Sequence, residues 1–468
     1  MDKFFKITEH GSTVKTEIVA GITTFFAMAY IVLVNPNQII GFTPGLENIW
    51  NAVYVASILA AGIGTLLMAL YAKMPFALAC GMGLNSFFFV SFILPQVISG
   101  GDCVAGYQAG LVIILISGII FTILSVTGVR QKMAKAMPEC MKKSIPAGIG
   151  LFIAFIGFQN VDIIQANPYT LTQFVDIHGA INSESGIISV VPALLALLGF
   201  IIIAVLSKKQ VKGAIIMGIL ITTVLYYILT GTAPSFDVAQ IGQSFKDFAN
   251  IGVVGVFKAE SWAHAFSPEF VGGVFSAVMY IITFCLVDMF DTIGTLYGTA
   301  SQADLLDENG DPENLNKCMA CDSIATVSGA VLGTSTCTTF VESAAGVAAG
   351  GRTGLTSVVV SICFFLCLFL SPLASVVPGC ATAPALIYVG VLMLGNFKKI
   401  DMEDIGSAVP AFLTLIMMPL TYSIANGIGI GSIAYVLIAL FTGKYTKDDI
   451  IVTIIAILFA LKFVMITM

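Results

Sequence analysis

Pro146-Ala-Gly-Ile-Gly-Leu-Phe-Ile-Ala-Phe-Ile-Gly-Phe158 and Pro384-Ala-Leu-Ile-Tyr-Val-Gly-Val-Leu-Met-Leu-Gly395 are two versions of one pattern, a proline followed by an apolar run punctuated by glycine. Each lies in a stretch long enough to cross a hydrocarbon core, for which about 20 apolar residues suffice. Counting such stretches along the chain places the two versions seven spans apart. An odd offset reverses the direction in which the chain crosses the membrane. The two halves therefore read as inverted repeats, an architecture of secondary transporters.

The composition supports lipid as the solvent of this chain. Its 468 residues are 57% hydrophobic and only 10% charged, with a mean hydropathy of +0.98. Soluble domains carry about 25% charged residues, and a soluble fold of this size has nowhere to hide so much apolar surface. Spans are expected near 18–34, 51–71, 75–95, 108–127, 145–163, 185–206 and 211–231. After a long polar-to-mixed loop they resume near 270–298, 318–333, 335–350, 353–371, 380–395, 406–423 and 425–442. A last apolar stretch, 449–466, lies either across or along the membrane. Ala27-Met28-Ala29 follows an apolar run in the manner of a leader cleavage site. With a long mixed segment before the run and many spans after it, the run is read as the first membrane helix.

The charges orient this array. Lys3 and Lys6 precede the first span; Arg130, Lys132, Lys135, Lys142 and Lys143 follow the fourth; Lys208, Lys209 and Lys212 follow the sixth. Arg352 follows the tenth, Lys398 and Lys399 the twelfth, and Lys444 and Lys447 the fourteenth. All fall on one side of a fourteen-span array, and the positive-inside rule makes that side the cytoplasm.

A second pair of segments corresponds at the same offset: Ala79-Cys-Gly-Met-Gly-Leu-Asn85 in the third span and Gly333-Thr-Ser-Thr-Cys-Thr-Thr-Phe-Val-Glu342 in the tenth. Both place small, β-prone or helix-breaking residues where a continuous helix would otherwise run. Interrupted helices at matching positions of two repeats point to a midplane binding site, because they expose backbone N–H donors. Close packing through Gly and Ser is the competing explanation for either segment alone.

Ionisable groups inside spans are costly and mark pathways. Here they are Asp288, Asp291, Asp322 and Glu342, with Glu17 at the edge of the first span and Lys462 in the last stretch. The three histidines, His10, His178 and His264, lie in loops or at span ends, so any proton relay falls to carboxylates. Asp288 and Asp291 are three residues apart, on neighbouring positions of one helical face that Thr292 and Thr295 continue. Two carboxylates together in a low-dielectric place cannot both ionise cheaply. Glu342 follows the hydroxyls of Thr334, Ser335, Thr336, Thr338 and Thr339, at the expected start of a half-helix. Such a pair suits a metal ion or a neutral planar ring bearing N–H groups, with phenylalanines such as Phe25, Phe26 and Phe87 to stack on it. Nothing in the sequence suggests a cofactor: there is no phosphate-binding GxxxxGK[ST] loop. Nor is there a basic tract for nucleic acid. Cys318 and Cys321 form a lone CxxC without a second pair or a nearby histidine, which reads as a small-residue helix face and not a metal site.

Thr23-Thr-Phe-Phe-Ala-Met-Ala-Tyr-Ile-Val-Leu-Val-Asn-Pro36, Gly81-Met-Gly-Leu-Asn-Ser-Phe-Phe88, Asp288-Met-Phe-Asp-Thr-Ile-Gly-Thr-Leu296 and Thr338-Thr-Phe-Val-Glu-Ser-Ala-Ala-Gly346 resemble, in this order, the AzgA-like purine permeases. These are a branch of the nucleobase–ascorbate transporter superfamily. The resemblance implies an all-α polytopic fold of about 14 transmembrane segments, built as two inverted seven-helix repeats with short strands in spans 3 and 10. It implies a core domain (1–128 and 269–372) and a gate domain (129–268 and 373–468). It further implies uptake of a purine nucleobase (hypoxanthine, guanine or adenine) with a proton by alternating access, in a prokaryotic plasma membrane, with a homodimer as one assembly open to it.

The base contacts it implies are Asp291 and Glu342. Backbone contacts are expected at Met82, Asn85, Val341 and Ser343, with Thr295, Thr339 and Phe26 beside them. Asp288 and Asp322 are the expected proton-coupling carboxylates. Compared with the uracil carriers of the superfamily, Thr295 stands where a histidine is found, which leaves proton coupling to carboxylates alone, and Val341 stands where a glycine is found, a departure that bears on the backbone contacts beside Glu342. Two other functions remain open at this level. One is an anion carrier of the same architecture, disfavoured by Glu342 standing where the anion would sit. The other is a membrane enzyme holding magnesium through Asp288 and Asp291, which lacks the second aspartate-rich motif and the basic groups such chemistry needs.

Overall fold

The computed structural model describes residues 2–127, 137–167, 169–182, 186–234, 237–302, 305–306 and 312–465. Arg130, Lys132 and Lys135 lie outside the described residues. Among those described, nine helices are long and apolar enough to cross a membrane: Val14–Ile39, Glu47–Ala72, Met82–Ser99, Cys103–Ser125, Glu139–Gln159, Ile188–Lys208, Gly273–Tyr297, Gly354–Ala374 and Ile424–Phe441. Shorter apolar helices cover Ala214–Thr230, Gly379–Leu394, Ile405–Leu420 and Ile450–Val464. With the helix Leu315–Leu332 and the short helix Ser343–Ala348, these elements fall on the fourteen expected spans and the last apolar stretch. That last stretch is a helix packed along span 14, and Lys462 Nζ donates to Asn426 Oδ1 at 3.3 Å.

Spans 3 and 10 each begin as a strand. β1 (Leu78–Cys80) pairs antiparallel with β4 (Cys337–Thr339), matching Leu78 with Thr339, Ala79 with Thr338 and Cys80 with Cys337. Backbone polar groups inside a membrane must find partners within the protein, and the two interrupted segments supply each other. Gly81 N donates to Thr336 O at 3.0 Å and Phe340 N to Ala77 O at 2.9 Å just beyond the strands. Helices then start at Met82 and at Ser343, leading away from the crossing.

The two versions of the proline–glycine pattern pack against each other. A Cβ on Gly390 would sit 2.5 Å from the carbonyl oxygen of Gly150, and one on Gly150 would sit 2.8 Å from that of Gly390. Spans 5 and 12 are in backbone contact there because neither carries a side chain at the crossing, the same logic as small-residue helix interfaces in membranes. Around this pair gather spans 6, 7, 13 and 14, while spans 1, 2, 4, 9 and 11 and the strand crossing pack among themselves.

Glu17, expected at the edge of span 1, is buried and serves as an anchor. Its carboxylate accepts from Arg352 N (3.0 Å), Thr353 N (3.2 Å) and Thr356 Oγ1 (2.6 Å). It thus supplies negative charge to the N-terminal end of span 11, where the helix dipole and unpaired N–H groups favour it.

Two regions differ from the sequence reading. The segment between spans 7 and 8, read as a loop, folds into short helices Ala239–Asp247, Phe248–Val253 and Ala259–Ala265. They lie against spans 2 and 4, fastened by Asn51 Nδ2 donating to Asp247 Oδ2 at 2.7 Å and Gln240 Nε2 donating to Asn51 Oδ1 at 2.5 Å. The polar residues that suggested a loop are the ones that bind this cap to the membrane helices. Between spans 5 and 6 an exposed hairpin forms from β2 (Ile164–Asn167) and β3 (Leu171–Phe174), so the chain carries strands beyond those of the crossing.

Candidate functional site

The strand crossing forms the floor of a cavity of about 1440 Å³. Span 3 contributes Gly81, Met82 and Gly83 to its wall, span 8 contributes Asp291 and Thr295, and span 10 contributes Thr338 to Glu342. The cavity extends to Lys142 and Lys143 of span 5, Ser207 of span 6, Lys212 before span 7, and Tyr388 of span 12. These are the lysine-rich span ends, so the cavity opens on the side expected to be cytoplasmic. At this mouth Glu139 pairs with Lys142 at 2.9 Å and with Lys143 at 3.6 Å. Lys212 Nζ reaches across to Thr23 Oγ1 of span 1 at 3.3 Å.

Local backbone geometry explains how Glu342 arrives there. β4 ends at Thr339, and Glu342 occupies the cap position of the helix Ser343–Ala348. One carboxylate oxygen, Oε1, accepts a hydrogen bond from the Tyr30 hydroxyl at 2.5 Å. The N–H groups that sequence reasoning left free for a ligand are engaged: those of Ser343, Ala344 and Ala345 donate to the carbonyls of Phe340, Val341 and Glu342 at 3.1, 3.0 and 2.9 Å. The first turn is tightened into an i to i−3 pattern, which consumes orphan donors in the way helix ends commonly do. What this turn offers the cavity is therefore the side chain of Glu342.

The structure brings six of the expected contact residues to the cavity: Met82, Asp291, Thr295, Thr339, Val341 and Glu342. It places the other three elsewhere. Asn85 is fully buried; its Nδ2 donates to Asn35 Oδ1 and its Oδ1 accepts from Ser335 Oγ. It tethers span 3 to span 1 and to the start of span 10 and does not face the cavity. Ser343 is likewise buried and accepts from Ala77 N at 3.0 Å. Phe26 is 50% exposed on the outside of span 1, while Thr23 and Ala27 of that span reach the cavity. The rings that do line it are Phe340, Tyr297 and Tyr388. Phe340 and Tyr388 stand within the quoted motifs, but nothing in their spacing marked them.

Asp288 and Asp322 sit one layer behind the wall. Asp288 Oδ2 accepts from Thr326 Oγ1 of span 9 at 2.8 Å. Asp322 accepts from Thr339 N at 2.9 Å, Thr339 Oγ1 at 3.3 Å and Thr292 Oγ1 at 2.5 Å, so it clamps β4 to spans 8 and 9. Thr292 Oγ1 is in turn 2.8 Å from Thr338 Oγ1, which belongs to the cavity wall. The i, i+3 spacing of Asp288 and Asp291 therefore does not bring both carboxylates into the cavity. Positions three apart differ by roughly 60° around a helix, enough to aim one at the cavity and the other at span 9.

Residues 15–430 match the permease family. This chain belongs to that family. The match bears out the resemblance read from the four motifs and sets aside the enzyme alternative. Among relatives of this permease, the adenine permease AdeP of Escherichia coli (strain K12) is 40% identical over 466 residues, covering 100% of this chain and 96% of that protein. The guanine/hypoxanthine permease PbuG of Bacillus subtilis (strain 168) is 41% identical over 472 residues, covering 99% of each. Among solved structures, the transmembrane domain of the cyanobacterial bicarbonate transporter BicA superposes with a TM-score of 0.61 at 17% identity, covering 88% of this permease and 97% of that chain. At that identity the likeness is one of fold. Together the spans and the family make this permease a multi-pass membrane protein.

Proposed function

We propose that this permease imports purine nucleobases together with protons, by alternating access. One observation carries the reading: Asp291 of span 8 and Glu342 of span 10 line the same cavity beside the strand crossing, in a chain whose relatives are named for adenine and for guanine and hypoxanthine. A neutral purine presents ring N–H donors along its edges and two apolar faces. Carboxylates accept such donors strongly in a desolvated site, and Phe340 beside Glu342 offers a ring face.

The proton enters the same account. Moving two carboxylates with a neutral base through a low-dielectric passage is costly unless their charge is reduced, and uptake of a proton by Asp291 achieves this. Of the two carboxylates behind the wall, Asp322 has a hydroxyl path to the cavity through Thr292 and Thr338. Asp288, bound by Thr326, braces spans 8 and 9.

The two groups of helices support alternating access. Spans 1–4 and 8–11 with the strand crossing act as the core, and spans 5–7 and 12–14 as the gate. The short helices between spans 7 and 8 ride with the core, because they pack on spans 2 and 4. The cavity open toward the lysine-rich ends corresponds to the inward-facing state, and sliding of the core along spans 5 and 12 exposes the site to the other side.

The test is uptake of radiolabelled hypoxanthine, guanine and adenine by cells carrying Glu342→Ala, with membrane insertion confirmed separately. Loss of uptake with normal insertion is expected; full uptake refutes the assignment. Collapse of the proton gradient is expected to stop accumulation of the base in the wild type, and undiminished accumulation refutes the coupling.

A further inference from the structure

We infer that Tyr30 is a positioning residue for Glu342, holding that carboxylate in the orientation in which it receives the base. The inference rests on Glu342 being a base ligand, as proposed above.

Span 1 is interrupted locally: the stretches Val14–Met28 and Ile31–Ile39 are joined through Ala29 and Tyr30, whose backbone angles stay helical. At this break the turn is tightened, with Leu33 N donating to Tyr30 O at 3.0 Å. Tyr30 is 0% exposed and is not part of the cavity wall, so it does not touch a ligand held there. Its hydroxyl nevertheless points at the one cavity group that most needs fixing, and donates to Glu342 Oε1 at 2.5 Å.

Span 1 and the half-helix after Glu342 are themselves locked together. A Cβ on Gly346 would lie 1.9 Å from Thr24 Oγ1 and 2.8 Å from the carbonyl oxygen of Ala20, so the two backbones pack closely where Gly346 carries no side chain, and the hydroxyl comes from a closely packed neighbour.

The physical consequence concerns orientation. A glutamate has three side-chain torsions, and ordering such a side chain on binding costs affinity. A donor that already holds Oε1 removes most of that cost and leaves Oε2 turned to the cavity. A buried phenol in turn needs a partner, so the tyrosine and the glutamate satisfy each other in the unliganded state. The competing explanation is that Tyr30 fills space at the break in span 1 and its hydroxyl is bonded only because it is buried. The two explanations differ in what removal of the hydroxyl does to the carboxylate and to affinity.

The test compares the full-length wild type, Tyr30→Phe and Glu342→Gln in proteoliposomes. Tyr30→Phe is expected to raise the apparent KM for hypoxanthine about tenfold while Vmax stays within about twofold, the effect of losing one hydrogen bond to a charged acceptor. In acid-minus-base infrared difference spectra of the unliganded protein, carboxyl bands that disappear in Glu342→Gln belong to Glu342, and in Tyr30→Phe those bands are expected to shift. Tyr30→3-fluorotyrosine keeps the ring volume and makes the phenol a stronger donor. It is expected to shift the same bands in the opposite direction, a measurement that stands even where Tyr30→Phe inserts poorly.

Unchanged KM and unmoved Glu342 bands in Tyr30→Phe, or unmoved bands in the fluorinated protein, overturn the inference while leaving Glu342 as a ligand. Wild-type hypoxanthine binding by Glu342→Gln overturns the underlying reading instead.

Discussion

Spans 3 and 10 use the same backbone device, a three-residue strand followed by a helix that starts beside the strand crossing, yet they present different chemistry to the cavity. Span 3 shows it Gly81, Met82 and Gly83, and turns Asn85 away into contacts with Asn35 and Ser335. Span 10 does the reverse. It buries Ser343 against Ala77 N and shows the cavity Thr338, Thr339 and Glu342. An inverted repeat supplies a symmetric scaffold, and the side chains divide the labour: span 3 shapes the wall and braces the crossing, span 10 carries the charge. Each half of that division can be broken separately.

Glu342→Ala removes the charge on span 10 and gives the largest expected effect, a fall of about 100-fold or more in purine uptake at normal insertion, as follows from losing a desolvated charged acceptor. Asp291→Asn keeps the shape on span 8 but cannot carry a proton. It is expected to abolish accumulation against a gradient while leaving residual equilibrative uptake, which radiolabelled counterflow would detect. Asn85→Leu tests the bracing role of span 3. Unfolding stability is expected to fall by about 1–3 kcal/mol from the unpaired groups of Asn35 and Ser335, while KM moves less than about threefold in the protein that inserts, since Asn85 is not part of the cavity wall. A large KM change at normal thermal stability would return Asn85 to the site. Phe26→Ala gives the smallest effect: uptake kinetics within about twofold of wild type, because the ring faces away from the cavity.

Much of this was legible in the sequence. The apolar stretches, their charge asymmetry and the proline–glycine pattern repeated at an odd offset led to the spans, though not to the contact between Gly150 and Gly390. The two interrupted segments marked where the helices break, the carboxylates within spans singled out Asp291 and Glu342, and the family resemblance supplied the short strands.

What remained hidden was direction. Asp288 and Asp291 lie three residues apart, yet the helix turns one toward Thr326 and the other into the cavity. Phe26 and Ala27 are adjacent, and about 100° of rotation per residue sends the aromatic ring outward and the methyl group inward. Asn85 lies within a segment that does reach the cavity, but its amide is taken by neighbours far away in the sequence. Tyr30 was quoted within a motif without a role, because its partner is 312 residues away. The helices over 239–265 escaped for another reason: the polar residues that fasten them to Asn51 are the same ones that suggest a loop.

The central claim is that Asp291 and Glu342 hold the base together, and a cryo-EM reconstruction with bound hypoxanthine tests it most directly. The account expects a planar density with its edges within hydrogen-bond distance of both carboxylates, beside Phe340. A ring seated next to Asn85, or among Lys142, Lys143 and Lys212 at the mouth, contradicts it.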